Sequence, residues 1–197
     1  MPKVSEEHRL AKQQEIITAA LRAFERKGFQ ATSMAEIIAE SGMSAGAIYG
    51  HFPSKAAIMR EVATKVVSAR LADLAELSTR NPMPAPTEMV TTIIRGMLAS
   101  EAVPQVQMQV WGEAVTDPEM LAVCFDILHQ IRATFVQYLT RWHVQAHGLV
   151  EKDAARIARE QAPLFISAVH GFVIQDSITD DFDREAYLTR TLTYLPS

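Results

Sequence analysis

A chain of 197 residues, 48% of them hydrophobic, can bury a substantial core, which excludes a globally disordered protein. No apolar run approaches the roughly 18 residues that a membrane span needs. The polar N-terminus is not expected to be a signal peptide, and the single cysteine excludes an internal disulfide and suits a reducing cytoplasm. The net charge of −4 argues against general nucleic-acid binding, yet residues 1–70 sum to +3, which suggests that this part meets an anion.

The first forty residues predict two helices separated by a short turn. Apolar residues recur at helical spacing from about Glu6 to Lys27, and Gly28 is a typical residue to end that helix. Ser33 and Glu36 form the Ser-x-x-Glu pattern of a capping box, which opens a second helix ending near Ser41.

A very short third helix is predicted between Gly42, which can adopt positive φ, and Pro53, which ends it. Ser44 can cap this helix, and Ile48 with Phe52 gives it a buried side. Its other side carries only small residues and one phenol: Ala45, Gly46, Tyr49 and Gly50. Such a face lets a helix approach a DNA major groove closely, so we interpret it as the recognition helix of a helix-turn-helix domain.

Four stretches of this region carry a family resemblance: Gly28-Phe29-Gln-Ala-Thr-Ser-Met34, Ile37-Ile38-Ala39, Gly42-Met43-Ser44 and Ile48-Tyr49-Gly-His51-Phe52-Pro53-Ser54-Lys55. They resemble the DNA-binding domain of the tetracycline-repressor (TetR) family of bacterial regulators over roughly residues 10–60. The resemblance implies a DNA-binding domain at residues 1–54 and a helical effector-binding and dimerisation domain at residues 55–197. It implies a regulator, not an enzyme, with no cofactor.

The resemblance also implies DNA contacts around the short helix. Base contacts are expected from the face between Ser44 and Tyr49, and phosphate contacts from Thr32 or Ser33, Tyr49, His51 and Lys55. Hydroxyls and a lysine at a helix start are ordinary phosphate partners on chemical grounds as well. The alternative is that Tyr49 and His51 only pack at the helix junction.

No Arg or Asn stands on the short helix for bidentate reading of a base. Discrimination between operators is therefore expected to depend on thymine methyl groups, on Ser44, on Lys3 or Arg9 in a minor groove, or on DNA shape.

Two further patterns point to chemistry that the rest of the chain does not favour. Gly42-Met-Ser44-Ala-Gly46 satisfies the G-x-S-x-G pattern of a serine hydrolase, but that elbow needs a strand before the serine, and a helix is predicted there. His143 and His147, four residues apart, offer only two metal ligands, so we expect no metal site and interpret them as a solvated helix end. Cys124 is expected in the core.

The remainder of the chain also predicts helices, about nine in all, with no period-2 strand. A linker with three prolines, Asn81 to Pro86, separates the first two of these helices. The predicted helices are Lys55–Arg80, Thr87–Ser100, Pro104–Val115, Pro118 to near Gly148, Asp153–Ile178 and Asp183–Tyr194. Pro163 is expected to kink its helix or to mark its effective start.

Methionines and aromatic residues recur on the central helices. Taken singly they are ordinary core residues, but the resemblance implies a pocket for a small, largely apolar effector in this region. The candidate pocket residues are Met97, Met108, Trp111, Phe125, Leu128, His129 and Phe135.

The last two helices carry a broad apolar stripe. An interior helix of one chain would show the same pattern, but the resemblance implies that these helices pair with their two-fold mates in a homodimer. The candidate interface residues are Leu164, Phe165, Ala168, Val169, Phe172, Leu188 and Leu192. A dimer can read a palindromic operator, so the sequence predicts a ligand-released homodimeric repressor. The alternative is a DNA-binding scaffold without an effector.

Overall fold

The computed structural model describes residues 6–98 and 102–196, and all regular structure in that range is helical. It consists of α1 (Glu6–Lys27), α2 (Met34–Ser41), α3 (Ala45–His51), α4 (Lys55–Leu77), α5 (Pro86–Leu98), α6 (Ala102–Ala114), α7 (Pro118–His147), α8 (Glu151–Ile178), α9 (Arg184–Thr189) and a 3₁₀ helix (Thr191–Tyr194). The predicted all-α class is confirmed. No helix in the described ranges is both long and apolar enough to cross a bilayer.

The described residues form two compact units. The first comprises the residues through Lys65 together with Gln105–Val123, and the second comprises Val66–Pro104 and the chain from Cys124 onward. The first unit therefore contains α1, α2 and α3, the beginning of α4, most of α6 and the start of α7.

The first three helices begin and end at the predicted caps. Gly28 and Gly42 follow α1 and α2 with φ of +80° and +67°, the left-handed conformation that a residue with a Cβ rarely adopts. Ser33 and Glu36 form the predicted capping box: the Ser33 hydroxyl accepts a bond from the Glu36 amide, and the Glu36 carboxylate accepts one from the Ser33 amide. Ser44 caps α3 by accepting a bond from the Ala47 amide at 3.2 Å.

One apolar core holds these helices in the first unit. Because α2 and α3 are each only about two turns long, they depend on this core for their helical state. Its fully or almost fully buried members are Ile16, Ile17, Ala20 and Phe24 of α1, Ile37 of α2, Ile48 of α3, and Ile58, Met59 and Val62 of α4.

We expect the capping box to make α2 sensitive to acid. Lys27, and after it the Ser33 amide and hydroxyl, lower the pKa of Glu36 from 4.5 to about 2. A carboxyl group with a depressed pKa contributes stability above pH 4.5 that is lost as the pH falls towards 2. In chemical unfolding, wild type should therefore be more stable than Glu36→Gln near neutral pH, with the difference vanishing near pH 2. Glu7→Gln, at an exposed position of α1, is the control; an undiminished difference at pH 2 would rule out this origin.

Prolines mark three places where the structure differs from the prediction. Helix α5 begins at Pro86 itself, and Pro104 lies within the first turn of α6, where a helix needs no amide donor from it. Pro163 does not mark the start of α8, which continues through it from Glu151 to Ile178, so that part of the prediction is wrong and the kink stays a prediction. Ser100, the predicted end of α5, lies outside the described residues.

The C-terminal segment was predicted as one helix and is two. Helix α9 ends at Thr189, and a 3₁₀ helix follows from Thr191. Three threonines alternate along this segment, and such β-branched residues have low helix propensity. In the second unit, α9 and the 3₁₀ helix pack on α8 and α5 respectively.

Candidate nucleic-acid interface

Helix α3 is held from one side and open on the other. Ile48 is fully buried in the first unit, and the Phe52 amide donates to its carbonyl at 2.8 Å as the helix ends. Five of the other six positions face solvent: Ala45, Gly46, Ala47, Tyr49 and Gly50.

The exposed face of α3 is unobstructed. A Cβ built on Gly46 or Gly50 would meet no heavy atom within 4 Å, and the Tyr49 side chain projects with half of its surface exposed. Nothing in this unit prevents another large surface from coming close to the α3 backbone at these glycines. The predicted base-reading residues are therefore together on one accessible face.

Thr32 is a correction to the predicted phosphate contacts. Only 1% of its surface is exposed, and its hydroxyl is within bonding distance of the Gly28 carbonyl at 2.7 Å and the Ala23 carbonyl at 3.3 Å. The hydroxyl therefore closes the end of α1 and cannot reach a phosphate. Ser33 remains exposed, although its hydroxyl is part of the capping box, and His51 is half-buried.

Lys55 is the larger correction. Its ammonium group donates to three backbone carbonyls of the α1–α2 loop, those of Phe29 at 2.6 Å, Gln30 at 3.2 Å and Thr32 at 2.8 Å. It also lies 4.3 Å from the centroid of the Phe29 ring, a cation–π contact. Burial lowers the pKa of Lys55, while Glu113 and Glu36 raise it. All three donors are used within the protein, so Lys55 stabilises the domain and is not available as a phosphate contact.

Several basic residues of the first unit are already paired. Arg22 and Arg26 both bond Glu40, at 2.9 and 2.5 Å, and Lys27 bonds Glu36, so these pairs join α1 to α2. Arg9, a candidate for the minor groove, pairs with Glu6 at 2.6 Å on the exposed start of α1; Lys3 lies outside the described residues. The positive charge of this region is therefore largely balanced locally.

The hydrolase pattern lies in the wrong structural context. Ser44 follows a helix and a turn and caps the next helix, and no strand precedes it in the part of the chain that the structure describes. The strained strand-to-helix turn that exposes a nucleophilic serine is not formed here.

The candidate pocket residues do not belong to one compact unit. Met108 and Trp111 lie in residues of the first unit, whereas the other five lie in the second. Met97 and Phe135 are buried there as predicted, but Phe125, with 65% of its surface exposed, Leu128 and His129 face solvent from α7. These last three residues therefore do not line an enclosed pocket in this structure.

The histidine pair is not the solvated end that was predicted. His147 is exposed, but His143 is buried, and its Nε2 lies 2.7 Å from the Gln161 amide oxygen. Within the described ranges no group of three or more metal-ligating side chains occurs. Cys124 is buried as predicted, and burial raises the pKa of its thiol.

Most of the candidate dimer residues are buried within their own chain. Five of them are buried in the packing of the second unit: Phe165, Val169, Phe172, Leu188 and Leu192. Leu164 is half exposed and Ala168 partly exposed. The buried stripe of α8 therefore faces its own chain, and the interface prediction is wrong for these five residues.

Comparison with known proteins places this geometry in a family. Residues 16–62 match the family model described as bacterial regulatory proteins, tetR family, and this span covers α2 and α3 together with the end of α1 and the start of α4. This part of the chain is therefore similar to the DNA-binding region of the TetR family. The family resemblance seen in the sequence is thereby confirmed.

Curated relatives of this chain match over short stretches. The uncharacterized HTH-type transcriptional regulator YfiR of Bacillus subtilis is 43% identical over 61 residues, which are 31% of this chain and 30% of YfiR. The matched stretch covers less than a third of the length of the curated relatives. Their similarity therefore concerns only part of each protein.

Solved structures extend the likeness to the whole fold. Salmonella enterica GusR superposes with a TM-score of 0.75 at 22% identity, over 98% of this chain and 96% of that one. The transcriptional regulator FadR from Bacillus subtilis, solved in complex with stearoyl-CoA, gives 0.73 at 17% identity, over 93% and 97% of the two chains. At such identities the likeness establishes the fold alone.

Proposed function

We propose that this protein is a DNA-binding transcriptional regulator, a homodimeric repressor whose recognition helix is α3. The observation that carries the proposal is the open, side-chain-poor face of α3, held in place by the buried Ile48 within a TetR-type domain. Its side chains reach little beyond methyl groups, one hydroxyl and the Tyr49 phenol. Such a face suits close approach to base edges, where alanine methyls contact thymine methyls.

A two-fold dimer is part of the proposal because one seven-residue helix reads too few base pairs to be selective. Two copies about 34–36 Å apart would read the halves of a palindrome on one face of the duplex. The exposed side of α8 supplies a suitable surface. Leu164, Gly171 and Ile178 follow each other at intervals of seven, with Ala168 and Gln175 between them. Leu164, Gln175 and Ile178 are exposed, while Ala168 and Gly171 are partly exposed beside Tyr187 of α9. We assign the dimer interface to these five residues.

The effector is proposed to be small and largely apolar and to bind the second unit. Its core contains Met83, Met89 and Met97 with Phe135, and flexible methionines adapt readily to a ligand. FadR, a protein of the same fold, was solved in complex with stearoyl-CoA, a larger molecule that carries a long apolar acyl chain. Apolar compounds that raise the apparent melting temperature and also release the duplex would identify it. Because its partner is chromosomal DNA, the proposal places the protein in the cytoplasm.

The variant Gly46→Glu tests the proposed recognition face, because it should raise the stability of the protein and lower its affinity for DNA. The Cβ enters open space, and replacing a helical glycine near the N-terminus of α3 with glutamate should stabilise the protein by about 0.5–1 kcal/mol. The same carboxylate would repel DNA, so affinity for a duplex selected from a random library should fall by about tenfold or more at fixed salt. Fluorescence anisotropy and calorimetry measure the two effects.

Gly112→Glu is the matched control, because Gly112 of α6 is also exposed with open space at its Cβ. It should gain less stability than Gly46→Glu, because its carboxylate lies in the last turn of α6, where the helix dipole opposes it, and it should bind the duplex as wild type does. If Gly46→Glu bound equally well, α3 would not be the recognition helix. If wild type selected no duplex from the library, the regulator proposal itself would fail.

A further inference from the structure

The loop between α1 and α2, residues 28–33, is held by side chains from α6. The Phe29 amide donates to the Gln109 side-chain oxygen at 2.6 Å, and the Gln30 side chain donates to Glu113. The Gln109 amide group also lies 3.7–3.9 Å from the position that a Cβ on Gly28 would occupy. These contacts join residues about eighty positions apart in the chain, and all of them lie inside the first unit.

The same loop holds Lys55 on its other side. The three carbonyls that accept bonds from the Lys55 ammonium belong to Phe29, Gln30 and Thr32, and the Phe29 ring lies under that ammonium. The ring also packs edge-on against Phe24 of α1, with 5.4 Å between centroids. The loop is therefore a junction that α1, α4 and α6 all contact.

In the sequence, the proposed recognition helix lies between two parts of this junction, the α1–α2 loop and Lys55. Helices α2 and α3 occupy the stretch between the loop and Lys55, so the Lys55 bonds bring the two ends of that stretch together. A shift of the loop would move the start of α2 and, through Lys55, the start of α4. Only three residues connect α3 to α2 and three connect it to Lys55, so α3 would have to move with them.

Helix α6 is well placed in the chain to cause such a shift. Residues 105–123 belong to the first unit, while the segments that precede and follow them in the chain belong to the second. A change in the second unit can therefore reach the loop through covalent connection to α6.

We propose that Gln109 is a positioning residue for DNA recognition: its bond to the Phe29 amide sets the α1–α2 loop and, through Lys55, the orientation of α3. The proposal rests on the regulator function proposed above. It gives Gln109 no contact with DNA. Glu113 acts beside it by holding Gln30.

The experiment compares Gln109→Leu, Gln109→Glu and Gln107→Leu in the full-length protein. Leucine removes the acceptor for the Phe29 amide, glutamate keeps one, and Gln107 is a half-buried glutamine of α6 with no bond to the loop among the described contacts. Hydrogen exchange at the Phe29 amide reports the bond directly. Anisotropy with a duplex selected by wild type reports operator affinity, and calorimetry reports global stability.

In Gln109→Leu we expect Phe29 exchange to accelerate at least tenfold and operator affinity to fall about tenfold at a temperature where the protein stays folded. Gln109→Glu should keep both within about threefold, and Gln107→Leu should match wild type. Lost protection with unchanged affinity would overturn the proposal, as would equal losses in the glutamate variant. If wild type selects no duplex, the exchange data still decide whether the bond exists, and it is the regulator proposal that has failed.

Discussion

Lys55→Met is expected to destabilise the DNA-binding unit and, through that, to abolish tight operator binding. The methionine keeps the length of the side chain but leaves three carbonyl oxygens at the α1–α2 loop without their donor. Hydrogen bonds to a charged group contribute about 1.5–3 kcal/mol each, and three that share one half-buried ammonium add less than their sum. We expect a loss of about 2–3 kcal/mol, or roughly 10 °C in melting temperature, and at least hundredfold weaker binding.

Measuring both the free energy of unfolding and the salt dependence of DNA binding distinguishes a structural role of Lys55 from a phosphate contact. A lysine that only neutralises a phosphate would, when removed, weaken binding and reduce the salt slope by about one while leaving the unfolding free energy unchanged. Lys12→Met is the matched control, because Lys12 pairs on the surface of α1 with Glu15 and such pairs contribute less than about 1 kcal/mol. Normal stability in Lys55→Met with a reduced salt slope would restore the phosphate role.

The variant Lys55→Arg tests whether a positive charge alone is enough to hold the α1–α2 loop. An arginine keeps the charge, but its planar guanidinium directs its donors outward as a fork, whereas the three loop carbonyls converge on one nitrogen. We therefore expect only partial recovery of stability. Full recovery would mean that charge, not geometry, holds the loop.

The features that the sequence predicted well depend on local chemistry. Gly28 and Gly42 end helices because their backbones take positive φ, and Ser33 and Ser44 begin helices by bonding amides three residues away. These signals lie within four residues of the structure that they determine, so one sequence is enough to read them. The exposed face of α3 was predictable for the same reason.

Lys55 and Gln109 show what the sequence could not predict. Their partners are the carbonyls of Phe29, Gln30 and Thr32 and the amide of Phe29. Every residue type carries such backbone groups, so the sequence does not show which of them a side chain will bond. A lysine at a helix start is equally compatible with a phosphate and with a distant loop. Only the tertiary fold decides between these partners.

Helix α8 shows a different limit. Its sequence carries two adjacent apolar stripes, one through Phe165, Val169 and Phe172 and one through Leu164 and Ile178. Periodicity reveals both stripes but does not say which one packs on the same chain. The structure assigns the aromatic stripe to the core of the second unit and leaves the other exposed.

The exposed stripe gives the second large expected effect. The double variant Leu164→Glu, Ile178→Glu places four carboxylates on the proposed interface of two α8 helices. Both side chains are well exposed in the single chain, Ile178 with 71% of its surface, so the fold of the monomer should change by less than about 0.5 kcal/mol. Burying unpaired charges in a dimer is costly, so the dimer dissociation constant should rise at least about hundredfold.

Sedimentation velocity measures the oligomeric state, and anisotropy on a palindromic duplex measures its consequence. A monomer engages one half-site and loses the second recognition helix, so operator affinity should fall by about 10²–10³-fold while a single half-site is bound as by wild type. Val150→Glu, at an equally exposed apolar position before α8, is the control and should leave the dimer intact. If the double variant stays dimeric, the interface lies on another face; if it becomes monomeric and still binds the palindrome tightly, the two-fold reading of the operator is wrong.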